Sequence, residues 1–473
     1  MKIKTIFVFG LIFSFLNINI MPAFAVTESQ TKAEKKAQIK REKMLKHRVK
    51  RNKKYNDNYK YEYVNLDFWN NFNDENLNNY INLAIKNNYD LKIATLNVDE
   101  FYQSTRIQFA KELPQAGLGF SPAYAKVMNT EADWMFAMPM IINYEADIFL
   151  KNRDKTRSSK KLYESSKFDE RAAYITIASA VGTIYFNISK LNEIIEKQEE
   201  IVSLRKQIYD IMLVSNEEGL ISTSDTVKSN KAYISGLSQL IEYKKERTKL
   251  LNQLAVLIGD SPENINNYKI SKIEDIKYTN EIPTEISSEI IINRPDYLKS
   301  EKMLEKSGID IRVAKKEFLP SINLSGLALF LSQPSGSGLF NTNNGLYALA
   351  AAAIMPVFTG GKRIANLKLK KVQYDKMLEN YYKTNLIAIQ EVNDALVSVQ
   401  RDKEKLNEHK KQLKLEIKDF GYSQQRYNQG IISKLDLIQM KENLLTIKQL
   451  VTNSTTNCYV DYISLYKATG SKI

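Results

Sequence analysis

The chain is poor in the residues that carry most chemistry. Its 473 residues include one cysteine, two histidines and two tryptophans. The single thiol, Cys458, has no partner for an internal disulfide, so stability must rest on packing, on assembly, or on both. His47 and His409 lie far apart, and neither has a second ligand at zinc spacing, so no metal centre is expected. There is no GxxxxGK phosphate loop, no HExxH and no nucleophile elbow. Ser335-Gly336-Ser337-Gly338 reads as a flexible loop rather than a phosphate cradle. No cofactor is therefore expected, and the chain is not expected to be an enzyme.

Proline is also scarce, with ten in all and none after Pro356. What remains is long, proline-free and rich in helix formers. The N-terminus is a different kind of segment. Lys2 and Lys4 precede an apolar run from Ile6 to Leu16, and Ala23-Phe24-Ala25 gives a small-x-small cleavage site. Residues 1–25 read as a signal peptide removed on export, too short in its apolar part to span a bilayer comfortably. The net charge of +14 resembles that of a nucleic-acid binder, but Lys32 to Lys60 alone carry 13 Lys/Arg against three acidic residues. The basicity thus belongs to a leader, residues 26–60, and not to the body of the chain. A solvated, disordered leader and one touching anionic lipid or peptidoglycan are both compatible with this. Nucleic acid is not an expected partner of an exported chain.

The rest of the sequence repeats itself. Asp90 and Asp296 are 206 apart, as are Leu113-Pro114 and Leu319-Pro320. Beyond them the offset becomes 211, relating Lys151 to Lys362, Gly219 to Gly430, Ser222 to Ser433, Asp225 to Asp436 and Gly259 to Gly470. Such self-similarity is a duplication with five extra residues in one loop of the second copy. The first copy spans 61–260 and the second 295–473, with a linking segment at 261–294. Each copy reads as a helix, a strand pair, a long helix and a third helix. Ile81, Ala84, Ile85, Leu91, Ala94 and Leu96 supply apolar residues at helical spacing in the first helix. The stretch from Lys151 to Glu218 predicts a helix roughly 100 Å long, and Ser222 to Ile258 one of roughly 55 Å.

Between Pro114 and Ile148, and between Pro320 and Phe358, the period falls to two. Ser321-Ile322-Asn323-Leu324-Ser325 alternates polar and apolar residues as a strand with two unlike faces does. Gly326, after which the parity of the apolar positions changes, predicts a bulge. Each of the segments 114–148 and 320–358 is long enough for two membrane-crossing strands of about ten residues. Their loops would be Met128–Asp133 and Ser332–Gly345, with Trp134, Phe136, Tyr144, Phe330, Phe340 and Tyr347 as flanking aromatics. Four strands cannot close a barrel, and lipid offers open backbone groups no partner. A barrel built from them must be shared between chains. The alternative is a periplasmic coiled-coil adaptor or other structural interaction protein, although adaptors lack duplicated strand pairs.

At this point the motifs resemble those of the TolC-type outer membrane factors, the exit ducts of efflux pumps and type I secretion. Asn293-Arg294-Pro295-Asp296 resembles that family's helix start, and Phe318-Leu319-Pro320-Ser321-Ile322 its helix-to-strand entry. Pro356-Val357-Phe358-Thr359-Gly360-Gly361 resembles the return, and the first copy has Tyr144-Glu145-Ala146-Asp147-Ile148-Phe149 there, with Leu150 where glycine is usual. The segment from Tyr427 to Asp436 resembles the turn at the periplasmic tip. The resemblance implies a mainly α chain with a membrane β-barrel portion. It also implies a homotrimer in outer-membrane lipid, with twelve shared strands above a long helical tunnel. A mixed domain is implied near residues 61–76, 260–294 and the C-terminal end. The implied partners are a periplasmic adaptor and an inner-membrane transporter, which supplies the energy.

The resemblance also points to site residues. Gly219, Leu220, Ile221 and Ser222, with Gly430, Ile431, Ile432 and Ser433, are the expected tip turns that meet the adaptor. Asp225 and Asp436 are the expected constriction carboxylates, three of each per trimer. Each also suits a plain helix cap, because an acidic side chain is favoured at a helix start. Ile432 stands where an arginine can lock the constriction, and Gln439 where a second acidic residue is usual, with Lys434 the candidate substitute cation. The expectation is a weaker gate dominated by Asp436, with Asp225 secondary.

Overall fold

The computed structural model describes residues 60–125, 133–280, 283, 286–331 and 345–472. The expected signal peptide, the leader up to residue 59, the interior of both strand-joining loops and Phe340 lie outside the described residues. Three helices open the described chain: α1 (Leu66–Asn70), α2 (Glu75–Asn87) and α3 (Tyr89–Ala110). Strands β1 (Gln115–Leu118), β2 (Ser121–Ala125) and β3 (Asp133–Ala146) follow, then α4 (Lys151–Glu217) and α5 (Thr223–Leu257). The second half contains α6 (Pro295–Lys316), β4 (Ser321–Leu331), β5 (Gly345–Ile354), α7 (Lys362–Asn428) and α8 (Lys434–Ala468). The duplication is visible in the lengths: α3 and α6 have 22 residues each, α4 and α7 have 67, and α5 and α8 have 35.

Strand pairing sharpens the same relation. In the first hairpin Gln115 pairs with Asn143 and Ser121 with Ala137, and in the second Ser321 pairs with Ile354. Both registers map onto each other under the offsets 206 and 211. The five extra residues of the second copy are thereby confined to segment 332–344. β1 and β2 keep one register against β3, so they are a single strand with a gap. The gap sits where Gly119 faces Pro139, whose ring nitrogen has no hydrogen to donate; the Gly119 N–H still donates to the Pro139 carbonyl, at 2.8 Å. Among the described residues the sheet therefore has four strand positions, in the order β1/β2–β3–β4–β5, all antiparallel, with unpaired edges at β1/β2 and β5.

Gly326 is not a bulge. It pairs in step with Ile142 on one side and Leu349 on the other, and the register continues unchanged to Leu331. A side chain at 326 would meet Leu349 Cδ2 at 3.3 Å, so glycine leaves room for that leucine. One face of the sheet stays apolar throughout, with Leu118, Phe120, Tyr124, Trp134, Met140, Ile142, Leu324, Phe330, Tyr347 and Leu349 sharing it by register. The opposite face is small or polar near the helices, where Ser325 Oγ donates to Asn143 Oδ1 at 3.1 Å. Along β4 it turns apolar at Leu327, Leu329 and Leu331, with Ile141 opposite Leu327 and Leu346 opposite Leu329. That change of the second face is what the altered parity of β4 records.

The helices form two rows that share the long members. α4 packs against α3, α5, α6 and α8, and α7 against α6 and α8. One row therefore runs α5–α4–α8–α7 and the other α3–α4–α6–α7. α5 and α3 end the rows on one side, and α7 ends both on the other. Among the described residues, one window long and apolar enough to cross a membrane lies in α4, and 61% of it is buried against neighbouring elements. Tyr185, Phe186 and Ile188 in α4 are fully buried, so this apolarity serves the core.

At mid-height the core is aromatic. Phe68 stacks on Tyr466 at 4.4 Å, and Trp69, Phe72, Phe186 and Tyr459 surround the pair. Gly182 is required here, since a Cβ on it would lie 2.5 Å from the Trp69 ring. Two polar clusters fix the chain around this core. Asp74 caps α2 and accepts from Tyr185 Oη (2.6 Å) and Ser271 Oγ (3.0 Å), tying the linking segment to α4. Arg294, 6% exposed, grips Asp296 with Nε (3.0 Å) and Nη2 (2.7 Å), Glu391 of α7 with Nη2 (2.6 Å), and the Ala468 carbonyl with Nη1 (2.5 Å). A single guanidinium thus joins the start of α6, the middle of α7 and the end of α8.

Both long helices start from a residue in the left-handed region. In α7 this is Gly361, at φ +78°; in α4 it is Leu150, at φ +58°. A side chain in that conformation costs roughly 1–2 kcal/mol. Leu150 is held there by its N–H to the Asp147 carbonyl (2.9 Å) and by Lys316 Nζ on its own carbonyl (3.1 Å).

Candidate channel tips and constriction

The tip turns arise from short, matching sequence signals. α4 stops at Gly219, at φ +72°, and α7 at Gly430, at φ +71°. No atom lies within 4 Å of a Cβ built on either, so the backbone angle rather than space demands glycine. The Leu220 N–H reaches back to the Ser215 carbonyl (2.8 Å) and the Gly219 N–H to that of Asn216 (2.9 Å). In the second copy, Ile431 and Gly430 repeat both bonds on Arg426 and Tyr427, each at 2.9 Å. These are Schellman closures, which satisfy the last free carbonyls of a helix. Leu220 and Ile431 are left 76% and 60% exposed, while Ile221 and Ile432 are half-buried.

The next helices start on serine. Ser222 Oγ accepts from the Asp225 N–H at 3.2 Å, and Ser433 Oγ from that of Asp436 at 3.1 Å. In the second copy the Ser433 N–H also donates to Asp436 Oδ2 (3.0 Å), which completes a capping box. Asp436 thus shares in the cap of its helix, whereas Asp225 Oδ2 accepts only from the Ser222 hydroxyl, at 2.8 Å. The Ser433 hydroxyl, and then its backbone N–H, hold the Asp436 carboxyl below the usual carboxylate range. Asp225 is also held low, first by the Ser222 hydroxyl and then by Lys228, whose Nζ donates at 3.1 Å. The two carboxylates are ionised at neutral pH on this account.

The surroundings of the two aspartates differ in ways the motifs do not reveal. Among the described residues, neither Lys434 nor Gln439 pairs with Asp436, and both are exposed. The cation that acts on Asp436 is Arg426, in the last turn of α7. Under the 211 offset, Gln439 occupies the place of Lys228. The first copy thus compensates its aspartate from its own helix, and the second does not. The offset carries this difference in the sequence, as Lys228 against Gln439; Arg426 lies across the turn, and only the fold brings it to Asp436.

Comparison with known proteins places this geometry in context. The model of a family described as outer membrane efflux protein matches residues 80–260 and 286–471. The probable efflux pump outer membrane protein TtgC of Pseudomonas putida is 26% identical over 409 residues, covering 84% of each chain. The cation efflux system protein CusC of Escherichia coli is 25% identical over 411 residues, covering 84% of this chain and 87% of its own. The crystal structure of the Campylobacter jejuni CmeC outer membrane channel superposes with a TM-score of 0.76 at 26% identity, covering 86% of this chain and 88% of that one.

Proposed function

Because this chain belongs to the outer membrane efflux protein family and is an outer-membrane efflux channel, we propose that three copies close into one passive exit duct. Its twelve strand positions make the barrel, and its helices make the tunnel below. The sheet carries this reading, since it has an apolar face suited to lipid and two edges with no partner. Unsatisfied backbone groups in hydrocarbon cost several kcal/mol each, so both edges must pair with other copies. The sequence has no GxxxxGK phosphate loop, and in this reading the duct draws its energy from an inner-membrane transporter, joined to it by a periplasmic adaptor at the exposed tips. Mass measurement of the detergent-solubilised protein should give a trimer. A folded monomer would sink the shared barrel.

At the narrow end, three copies bring six carboxylates together. A ring of like charge in a pore favours cations. Asp436 is the main constriction residue in this reading, because no cation on its own helix compensates it, whereas Lys228 compensates Asp225. Single-channel recording on Asp436→Ala should show higher conductance or weaker cation preference than wild type, and the same change at Asp225 a smaller effect. Identical conductance, selectivity and divalent-cation block in Asp436→Ala would leave Asp436 a helix cap and nothing more.

A further inference from the structure

The two halves of the chain meet along a seam whose details the duplication carries elsewhere. Within one chain, Ile201 and Leu204 of α4 are buried against Ile438 and Leu445 of α8, with Ile208 and Ile211 alongside. Arg205 crosses the same seam, donating to Glu442 Oε1 from Nε at 2.9 Å and from Nη2 at 2.7 Å. The offset of 211 takes α4 onto α7, and α8 back onto α5. The place of Leu204 is then Leu415, and that of Ile211 is Tyr422. Those of Ile438 and Leu445 are Val227 and Ile234.

In the second setting these apolar residues are uncovered. Leu415 is 67% exposed, Tyr422 63%, Val227 47% and Ile234 54%, whereas Leu204, Ile438 and Leu445 are all below 7%. Each uncovered pair is spaced by seven residues, the repeat of a seam between two long helices. The ion pair transfers as well, with its signs exchanged. Glu416 stands in the place of Arg205, and Lys231 in the place of Glu442. Among the described residues neither has an ion-pair partner within the chain. α5 and α7 lie at opposite ends of their row, so they cannot meet inside one chain; a second copy that continues the row brings them together. Gln412 and Asp419 replace Ile201 and Ile208, which makes the outer seam the more polar of the two.

We infer that the seam between neighbouring copies of this chain repeats the α4–α8 seam within each, with Glu416 of one copy paired to Lys231 of the next. This rests on the trimeric reading above and adds its register. The strands are consistent with it. The same transfer, applied to the β3–β4 register, sets Leu349 of β5 opposite Tyr124 of the next copy, and both belong to the apolar face. The charge exchange also gives the junction polarity: two α7 flanks would set Glu416 against Glu416, and two α5 flanks Lys231 against Lys231.

The test uses the full chain in native membranes and a bifunctional maleimide of short spacer. Lys231→Cys combined with Glu416→Cys should yield covalent dimers and trimers on a denaturing gel. Each single variant, retaining the buried Cys458, should stay monomeric on the gel. Lys231→Cys with Asp402→Cys, displaced by about 21 Å along α7, should not cross-link. Cross-linking of the displaced pair in place of the first would overturn the register. If neither pair links while the detergent mass remains that of a trimer, the seam is wrong and the trimeric reading survives. If the mass is that of a monomer, both fall.

Discussion

Arg294→Ala should lower the stability of the helical body by about 2–3 kcal/mol, the range for losing hydrogen bonds to a buried charged group. The guanidinium holds three separate partners, and alanine would leave the Ala468 carbonyl without its donor. Arg294→Lys should recover little of the loss, because an ammonium cannot reproduce the fork on Asp296. Denaturant unfolding followed by helical circular dichroism measures the difference. It also carries a pH signature. Burial pushes the Asp296 carboxyl up, but hydrogen bonds and charge from Arg294 outweigh this and hold it below the usual carboxylate range. A group depressed in the folded state stabilises above its unfolded pKa of about 4, and loses that contribution as pH falls through the folded value. The gap between wild type and Arg294→Ala should therefore be constant from pH 7 to pH 5 and narrow below about 4. A gap independent of pH would remove the Asp296 pair from the account.

Leu220→Asp and Ile431→Asp should each abolish export while leaving trimer abundance unchanged. Both side chains sit on exposed turns where they stabilise nothing within the chain, so a charge there should not disturb folding. An apolar anchor at the centre of an interface is worth about 2 kcal/mol or more, enough for a tenfold or larger loss of adaptor binding. Accumulation of an exported dye, with trimer quantified by immunoblot, separates docking from assembly. Unaltered export in both variants would take these turns out of the docking site.

The duplication made most of the architecture legible before any coordinates. Offsets of 206 and 211 located both hairpins and both long helices, and the structure repeats those offsets in strand register. The family match and the strand pairs also set aside the adaptor alternative. The serine and glycine signals at the tips were readable because caps are local, three or four residues long. What stayed hidden is long in sequence. Arg294 meets Glu391 and Ala468, 97 and 174 residues away, and no local pattern announces such partners. Asp74, Tyr185 and Ser271 form their cluster across 197 residues. Gly326 misled because a glycine beside a parity change suits either a bulge or a face that turns apolar, and only the pairing of Ile142 and Leu349 decides. Lys434 was likewise the nearest cation in sequence to Asp436, but Arg426 acts on it from across the turn.

The two open sheet edges also bear on how the protein matures. A chain that reaches the periplasm alone carries an apolar face and two strands each open along one edge, which together invite wrong partners as readily as right ones. In the proposed trimer, no closed barrel exists to insert until three copies meet. Channel formation should therefore depend steeply on the local concentration of newly exported chains, with a lag that shortens as secretion rises, rather than proceed chain by chain at a fixed rate.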